Sequence, residues 1–412
     1  MVTHILPGGL RYLTRSQPPG EVHLVTVSHR ARNAETFHAL DFAQRAADLE
    51  AQGHHVVKLS IGEPDFGAPP AVLAAGRDAL DGRPLPYTPP LGLPELRSAL
   101  SDFYRDRHGV QVPAERIAIT MGASAALLLA TAATTDPGDE VILADPSYPC
   151  NRELVQSFGG TVVALPTTAA TRYQLDADMV ERAWGDRTTS VMIASPSNPT
   201  GTSIPFDELA AICELARSRG GWRIVDEIYL ELSDASPAHT VLEVDPDAIV
   251  TGSFSKYFGM TGWRLGWAVL PPQLVGPVER LAVNYFLSAS NPTQQAALAC
   301  FTPETLEVCE RRRRELGARR RLVLEGLARI GLPVPVVPDG AFYVYIDVSG
   351  TGLGAWQFCE QALDVAHVAL TPGRDFGPTT GETHVRLSYA ASRGELDEGL
   401  SRLGHFLASR RG

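Results

Sequence analysis

Residues 251–267 read Thr-Gly-Ser-Phe-Ser-Lys-Tyr-Phe-Gly-Met-Thr-Gly-Trp-Arg-Leu-Gly-Trp, and the centre of this stretch is Lys256. Of the 36 Lys and Arg side chains only Lys58 and Lys256 are lysine, so guanidinium meets nearly every other demand for positive charge. An amine is kept where arginine will not serve, and the task closed to arginine is nucleophilic attack on a carbonyl to form a Schiff base. Ser253 and Ser255 place hydroxyl donors before the lysine, and Arg264 offers a planar fork suited to phosphate oxygens. A carbonyl cofactor that carries a phosphate is pyridoxal 5′-phosphate, an electron sink that a protein positions and tunes. An ordinary lysine in a Gly-rich loop after a strand is the alternative for so short a motif.

The segment SFSKYFGMTGWRLGW (253–267) resembles the cofactor-lysine segment of the pyridoxal-phosphate-dependent aminotransferases of class I/II, the fold type I aspartate aminotransferase superfamily. LSIGEPDF (59–66), YTPPLGLPELR (87–97), SPSNPTG (195–201), VDEIY (225–229), GAFYVYID (340–347) and HVRLSYA (384–390) match further family segments in the family's order. The resemblance therefore spans roughly residues 32 to 408, and several motifs in one order are far more specific than any one of them. It implies an α/β fold, with a large domain built on a mostly parallel seven-stranded sheet and a smaller α/β domain. The expected division is an arm over 1–31, a large cofactor domain over 59–290, and a small domain from 32–58 plus 291–412. It also implies a homodimer with shared active sites. The implied reaction moves an amino group between an L-amino acid and a 2-oxo acid through a Schiff base on Lys256.

Length and composition agree with such an enzyme. A chain of 412 residues exceeds what one core usually serves, so two domains are expected. A net charge of −11 argues against nucleic acid or an anionic membrane as partner. The five cysteines (Cys150, Cys213, Cys300, Cys309, Cys359) are scattered without metal-site spacing, which favours reduced thiols in the cytoplasm. Neither a membrane-spanning apolar run nor a signal-peptide pattern is present in the sequence.

Along the chain, apolar residues at helical spacing predict a helix from Ala34 to Gln52, followed by a short strand over 56–61 that runs into Gly62. In the resembling family the backbone at this glycine approaches the substrate carboxylate, and the tyrosine matching Tyr87 reaches into the neighbouring subunit to its cofactor phosphate. A surface turn is the plainer reading of Tyr87. Beyond Pro113 the pattern alternates strand and helix. The strand 116–120, the Gly122 turn and the helix from Ala125 form an anion site, so Ala123 and Ser124 are assigned to the phosphate, with a simple N-cap at Ser124 compatible. Further strand-like runs at 141–144, 161–165, 190–194, 222–225 and 248–250 read as a sheet covered on both faces.

Functional groups in such sheets gather at the carboxyl ends of strands, where Tyr148, Asn198, Asp226 and Lys256 fall. Asp226 follows an apolar strand, where a carboxylate needs a cation: a protonated pyridine nitrogen, or alternatively a buried arginine. Asn198 and Tyr229 suit donors to the ring's phenolate oxygen, and Tyr148 suits an aromatic face on the ring. The arginine matching Arg386 grips the substrate α-carboxylate in the family; by itself it reads equally as a surface strand residue. Arg311–Arg314 and Arg319–Arg321 lie on a predicted helix interleaved with Glu307, Glu310, Glu315 and Glu325, which reads as a solvated, salt-bridged face.

Some aspartate-specific relatives carry a lysine directly after the phosphate-loop glycine pair, whereas this chain has Gly122-Ala123-Ser124. A neutral or aromatic amino acid is the preferred donor, with Phe37, His38, Tyr285 and Phe286 as candidate pocket residues. The enzymatic alternative on this fold is a Cys-S β-lyase. A non-catalytic cofactor-binding domain of a transcription regulator is the alternative of another class, and the acidic chain offers it no basic recognition helix.

Overall fold

The computed structural model describes residues 27–234 and 238–411. By contacts the chain divides into Met1–Glu35 and Thr36–Gly412. Of the first unit, a short helix His29–Asn33 is described, begun by Ser28, whose hydroxyl accepts from the Ala31 N–H at 3.3 Å. The rest of the expected arm, residues 1–26, lies outside the described residues.

The second unit is organised on seven strands: β1 (Ile117–Thr120), β2 (Glu140–Asp145), β3 (Thr161–Pro166), β4 (Thr188–Ala194), β5 (Trp222–Asp226), β6 (Ile249–Ser253) and β7 (Gly266–Val269). Their order across the sheet is β1-β7-β6-β5-β4-β2-β3. β7 runs antiparallel to both of its neighbours, and the remaining pairs are parallel, as the sequence led us to expect. Successive residues of the central strands enter two different cores. Ile142, Val191 and Val225 join one apolar cluster, while Val141, Met192 and Ile224 join the other. That is the period-two alternation of a sheet buried on both faces, which explains why these strands read as continuous apolar runs.

The helix Ala123–Thr134 (ASAALLLATAAT) is apolar nearly all round and is accordingly buried on most of its surface. Its N-terminus is pressed onto the sheet at Gly266, the first residue of β7. A Cβ there would stand 2.6 Å from the carbonyl carbon of Gly122 and 2.7 Å from the Ala123 nitrogen. Only glycine permits that approach, which brings the turn after β1 beside the end of β6.

A second, three-stranded antiparallel sheet consists of β8 (Tyr343–Asp347), β9 (Thr371–Pro372) and β10 (His384–Ser388) in the order β9-β10-β8. Arg386 lies opposite Tyr345 in this register, so Tyr343 and Tyr345 share its face. The surface-strand reading of Arg386 is thereby overturned, because all five residues of β10 are buried.

Local expectations are corrected in several places. The strand expected over 56–61 is reduced to Val57–Lys58, paired in parallel with Val368–Ala369. The segment after Lys256 does not enter β7 until Gly266, because Thr261–Trp263 is a 3₁₀ turn and Arg264 sits in left-handed backbone at φ 53°. The basic run on the helix Pro303–Ile330 is salt-bridged, but not simply a solvated face. Arg319 is buried and donates to Asp65 at 2.8 Å as well as to Glu315 at 3.1 Å, and Arg320 grips Asp234. Partners from distant segments, which no helical spacing reveals, draw these guanidiniums inward.

Candidate active site

A cavity of about 480 Å³ opens at the carboxyl ends of β4, β5 and β6, and Lys256 lies in it three residues beyond β6. The lysine amine donates to the Gly62 carbonyl at 2.7 Å. Burial pushes that amine down to about 8, against the opposing pull of the Glu63 carboxylate.

At one end of the cavity lie Ala123, Ser124, Ser253, Ser255, Thr261 and Arg264. Gly122 has φ 80°, and a Cβ on it would come within 2.6 Å of Arg264 Nη2, so the guanidinium lies directly against the glycine turn. Arg264 Nη1 is fixed on the Thr261 carbonyl at 3.0 Å. The Ser253 hydroxyl accepts from the Ser255 N–H at 3.0 Å. Helix N-terminal N–H groups, hydroxyls and a guanidinium together form an anion cradle.

In the middle, Asp226 is buried at the end of β5. Its carboxylate accepts from the Thr251 hydroxyl at 2.8 Å and the Ile228 N–H at 3.3 Å, and burial pushes it up to about 6. The alternative of a buried aspartate paired with arginine fails here. Arg223 on the same strand instead makes a two-pronged pair with Asp245, at 2.6 and 2.9 Å. Tyr148 and Tyr229 also line the cavity, and the Tyr229 hydroxyl bonds to that of Tyr343 at 2.9 Å.

At the far end Arg386 is held from several sides. Its Nη1 donates to Asn198 Oδ1 at 2.9 Å, and its Nη2 donates to the Ser60 carbonyl at 2.7 Å and the Thr371 hydroxyl at 3.2 Å. The guanidinium stacks over the Tyr343 ring at 4.5 Å. Its Nε is buried without a hydrogen-bond partner among the described residues. Because Asn198 spends its oxygen on Arg386, its amide N–H groups are left to face the cavity.

Of the residues singled out from sequence, the cavity thus gathers Lys256 and its neighbours with Gly62, Tyr148, Asn198, Asp226, Tyr229 and Arg386, and also Phe37. It does not gather His38, Tyr285, Phe286 or Tyr87. Phe37, the N-cap, and Ala39, Leu40 and Ala43 of the helix His38–Ala51 face the cavity, whereas His38, two residues or about 200° round from Leu40, is turned onto Trp356 and Asp41. Tyr285 and Phe286 end a helix whose buried face is Leu274, Val278 and Ala282, so Tyr285 points to solvent. Tyr87 is 80% exposed. Tyr343, Ser60, Glu63 and Leu40 line the cavity without having been singled out. Tyr343 lay within a recognised motif, but it alternates with an equally aromatic Tyr345, and nothing in the strand's sequence ranks one above the other.

Residues 54–403 match the family model for aminotransferase class I and II. The chain belongs to this family. The aminotransferase is 39% identical over 375 residues to the valine–pyruvate aminotransferase of Mycobacterium tuberculosis, covering 90% of this chain and 96% of that one. Among solved structures, an aminotransferase from Mycobacterium tuberculosis matches with a TM-score of 0.90 at 38% identity, over 94% of this chain and all of the other (100%). The aspartate aminotransferase of Thermus thermophilus with maleate matches with a TM-score of 0.88 at 34% identity, over 93% and 100%.

The enzyme transfers amino groups between amino acids and 2-oxo acids, and its cofactor is pyridoxal phosphate. The residues present fit that group. The cradle around Gly122 and Arg264 offers the guanidinium, hydroxyls and N–H groups that a phosphate requires, and the Asp226 carboxylate is matched to a cationic ring nitrogen. The depressed Lys256 amine is matched to a carbonyl.

Proposed function

We propose that Lys256 is both the covalent anchor of the cofactor and the group that carries the substrate Cα proton, in a transamination with a neutral, apolar L-amino acid as donor. Bound cofactor supplies an electron sink for the bond cleaved at Cα. Ala123, Ser124, Ser253, Ser255 and Arg264 hold its phosphate in this reading, and Asp226 keeps its ring nitrogen protonated. Asn198 and Tyr229 donate to its phenolic oxygen, and Tyr148 covers its ring. Arg386 orients the substrate α-carboxylate beside the Gly62 backbone, which sets the Cα–H within reach of the Lys256 amine.

The observation that carries the reading is the pairing of a depressed lysine amine with a buried guanidinium, fixed from several sides and with a free Nε, in one cavity. The donor class follows from charge accounting. Among the described residues the cavity has three cationic side chains, Arg264, Lys256 and Arg386, and each already has a partner in the scheme. Among the described residues of this chain no cation is left for a distal carboxylate. The facing wall is apolar, with Phe37, Ala43, Ile61 and Leu40, the last 65% exposed and available to cover an apolar side chain. The Mycobacterium tuberculosis relative named for valine and pyruvate supports this class and a small 2-oxo acid as acceptor.

Half-reactions test it: cofactor-loaded protein is mixed with single amino acids, and loss of the visible cofactor band and release of the 2-oxo acid are followed. Valine, leucine or phenylalanine should react at least about 10-fold faster than aspartate, on the scale of a buried unpaired charge. Faster reaction with aspartate overturns the donor class. Pyruvate and ammonia from cystathionine without an acceptor would point to the β-lyase instead.

The same proposal includes a cytoplasmic homodimer in which exposed Tyr87 completes the neighbouring site. It also includes a division into 59–290 and 32–58 plus 291–412, supported by the separation of the two sheets along the sequence. Light scattering of the holoenzyme measures the assembly.

A further inference from the structure

We propose that the enzyme binds a small phosphate-bearing anion at a second site, formed by an arginine cleft on the helix Pro303–Ile330. The cleft has a volume of about 310 Å³, is lined by Arg313, Arg314, Arg320 and Arg321, and is faced by Asp234 and Tyr389. Positions 313, 314, 317, 320 and 321 recur at three- and four-residue intervals, so the four guanidiniums rise from one face of the helix around Gly317.

Two of them are engaged. Arg320 is clamped by both Asp234 oxygens, at 2.7 and 2.6 Å. Arg313 donates to Glu310 at 2.9 Å and to the Ser233 carbonyl at 3.2 Å. Arg314 and Arg321 have neither an ion pair nor a hydrogen bond among the described residues. Setting the carboxylates of Asp234 and Glu310 against four guanidiniums leaves two positive charges, concentrated in a concave site on a chain whose net charge is −11. Such a site focuses field lines and raises the local concentration of anions. Planar forks converging on one space suit phosphate oxygens.

Gly317 is an independent pointer. Glycine is among the poorest helix formers, and here it sits in the middle of a helix of 28 residues. A Cβ built on Gly317 meets nothing within 4 Å, so no packing contact requires its small size. Its effect is to leave a floor between the two arginine pairs on which a ligand can rest.

The test uses the holoenzyme, whose own phosphate site is filled by cofactor, titrated calorimetrically at low salt with inorganic pyrophosphate and, in a parallel arm, with citrate. Saturable binding of pyrophosphate at one site per chain is expected, and citrate should bind at least 10-fold more weakly. Gly317→Glu should fold at least as well, since glutamate favours helix, and yet lose binding by 10-fold or more. The double variant Arg314→Gln with Arg321→Gln, both exposed positions, should weaken it similarly, with the cofactor absorbance unchanged in each. Absence of saturable heat, equal affinity for citrate, or undiminished binding in both variants overturns the proposal.

Discussion

The Lys256 amine and the Gly62 carbonyl lie 2.7 Å apart across 194 residues of chain. This contact joins the segment after β6 to the loop that follows Val57–Lys58, and it fixes where the reactive nitrogen stands. Replacement of Lys256 by Ala, or by Arg to keep the charge, should lower turnover by at least about 10³-fold, because neither side chain attacks a carbonyl nor moves a proton near neutrality. Steady-state assays and the visible spectrum check this, and near-normal turnover in Lys256→Arg would remove the amine from its role.

Because burial holds that amine at about 8, below its ordinary 10.5, it is deprotonated in the folded cofactor-free protein at a pH where a free lysine is charged. The unfolded chain then binds the extra proton between the two values, so stability rises with pH from about 8 towards 10.5. Lys256→Met should flatten that rise. The rate of colour formation on adding pyridoxal phosphate should climb to about pH 8 and level there, and a climb continuing to pH 10 would contradict the burial argument.

The sign is opposite for Asp226, an acid raised to about 6 from 3.8 by burial. Here the folded state binds the extra proton, so the stability of cofactor-free protein falls as pH rises from 3.8 through 6. The loss is on the order of 3 kcal/mol at neutral pH. Asp226→Asn should abolish this slope in denaturant titrations while lowering activity by about 100-fold or more. Added cofactor should reduce the slope in the parent protein.

A methyl group on Gly62 would stand 2.9 Å from the Tyr343 hydroxyl, which in turn bonds Tyr229 at 2.9 Å. Gly62→Ala should therefore displace Tyr343 and raise KM for the amino acid. Tyr343→Phe leaves the buried Tyr229 hydroxyl without that partner, and should cost about 1–3 kcal/mol in stability with the fold retained. A variant with unchanged melting and unchanged KM would show that the tyrosine pair is dispensable.

Away from the cavity, Arg223→Met would leave Asp245 buried and unpaired. A loss of about 3–5 kcal/mol in urea titrations is expected. Adding Asp245→Asn should recover part of it, as coupled partners do not add.

What was legible in the sequence rests on local chemistry. A lysine retained among arginines, apolar runs of strand length and glycine turns before helices are properties of neighbouring residues. They sufficed for the mostly parallel sheet and for the gathering of Tyr148, Asn198, Asp226 and Lys256 at strand ends. Motif order added Gly62 and Arg386, which no periodicity would have ranked.

Tertiary structure alone decided the rest. Asn198 meets Arg386 across 188 residues, Tyr343 rather than Tyr345 reaches Tyr229, and Leu40 rather than His38 faces the cavity. Each of these depends on strand register or helix phase, where a shift of one residue turns a side chain to another face. Register and phase are fixed by packing between segments far apart in the chain, so the sequence determined which groups were available, and only the packed core determined which of them meet.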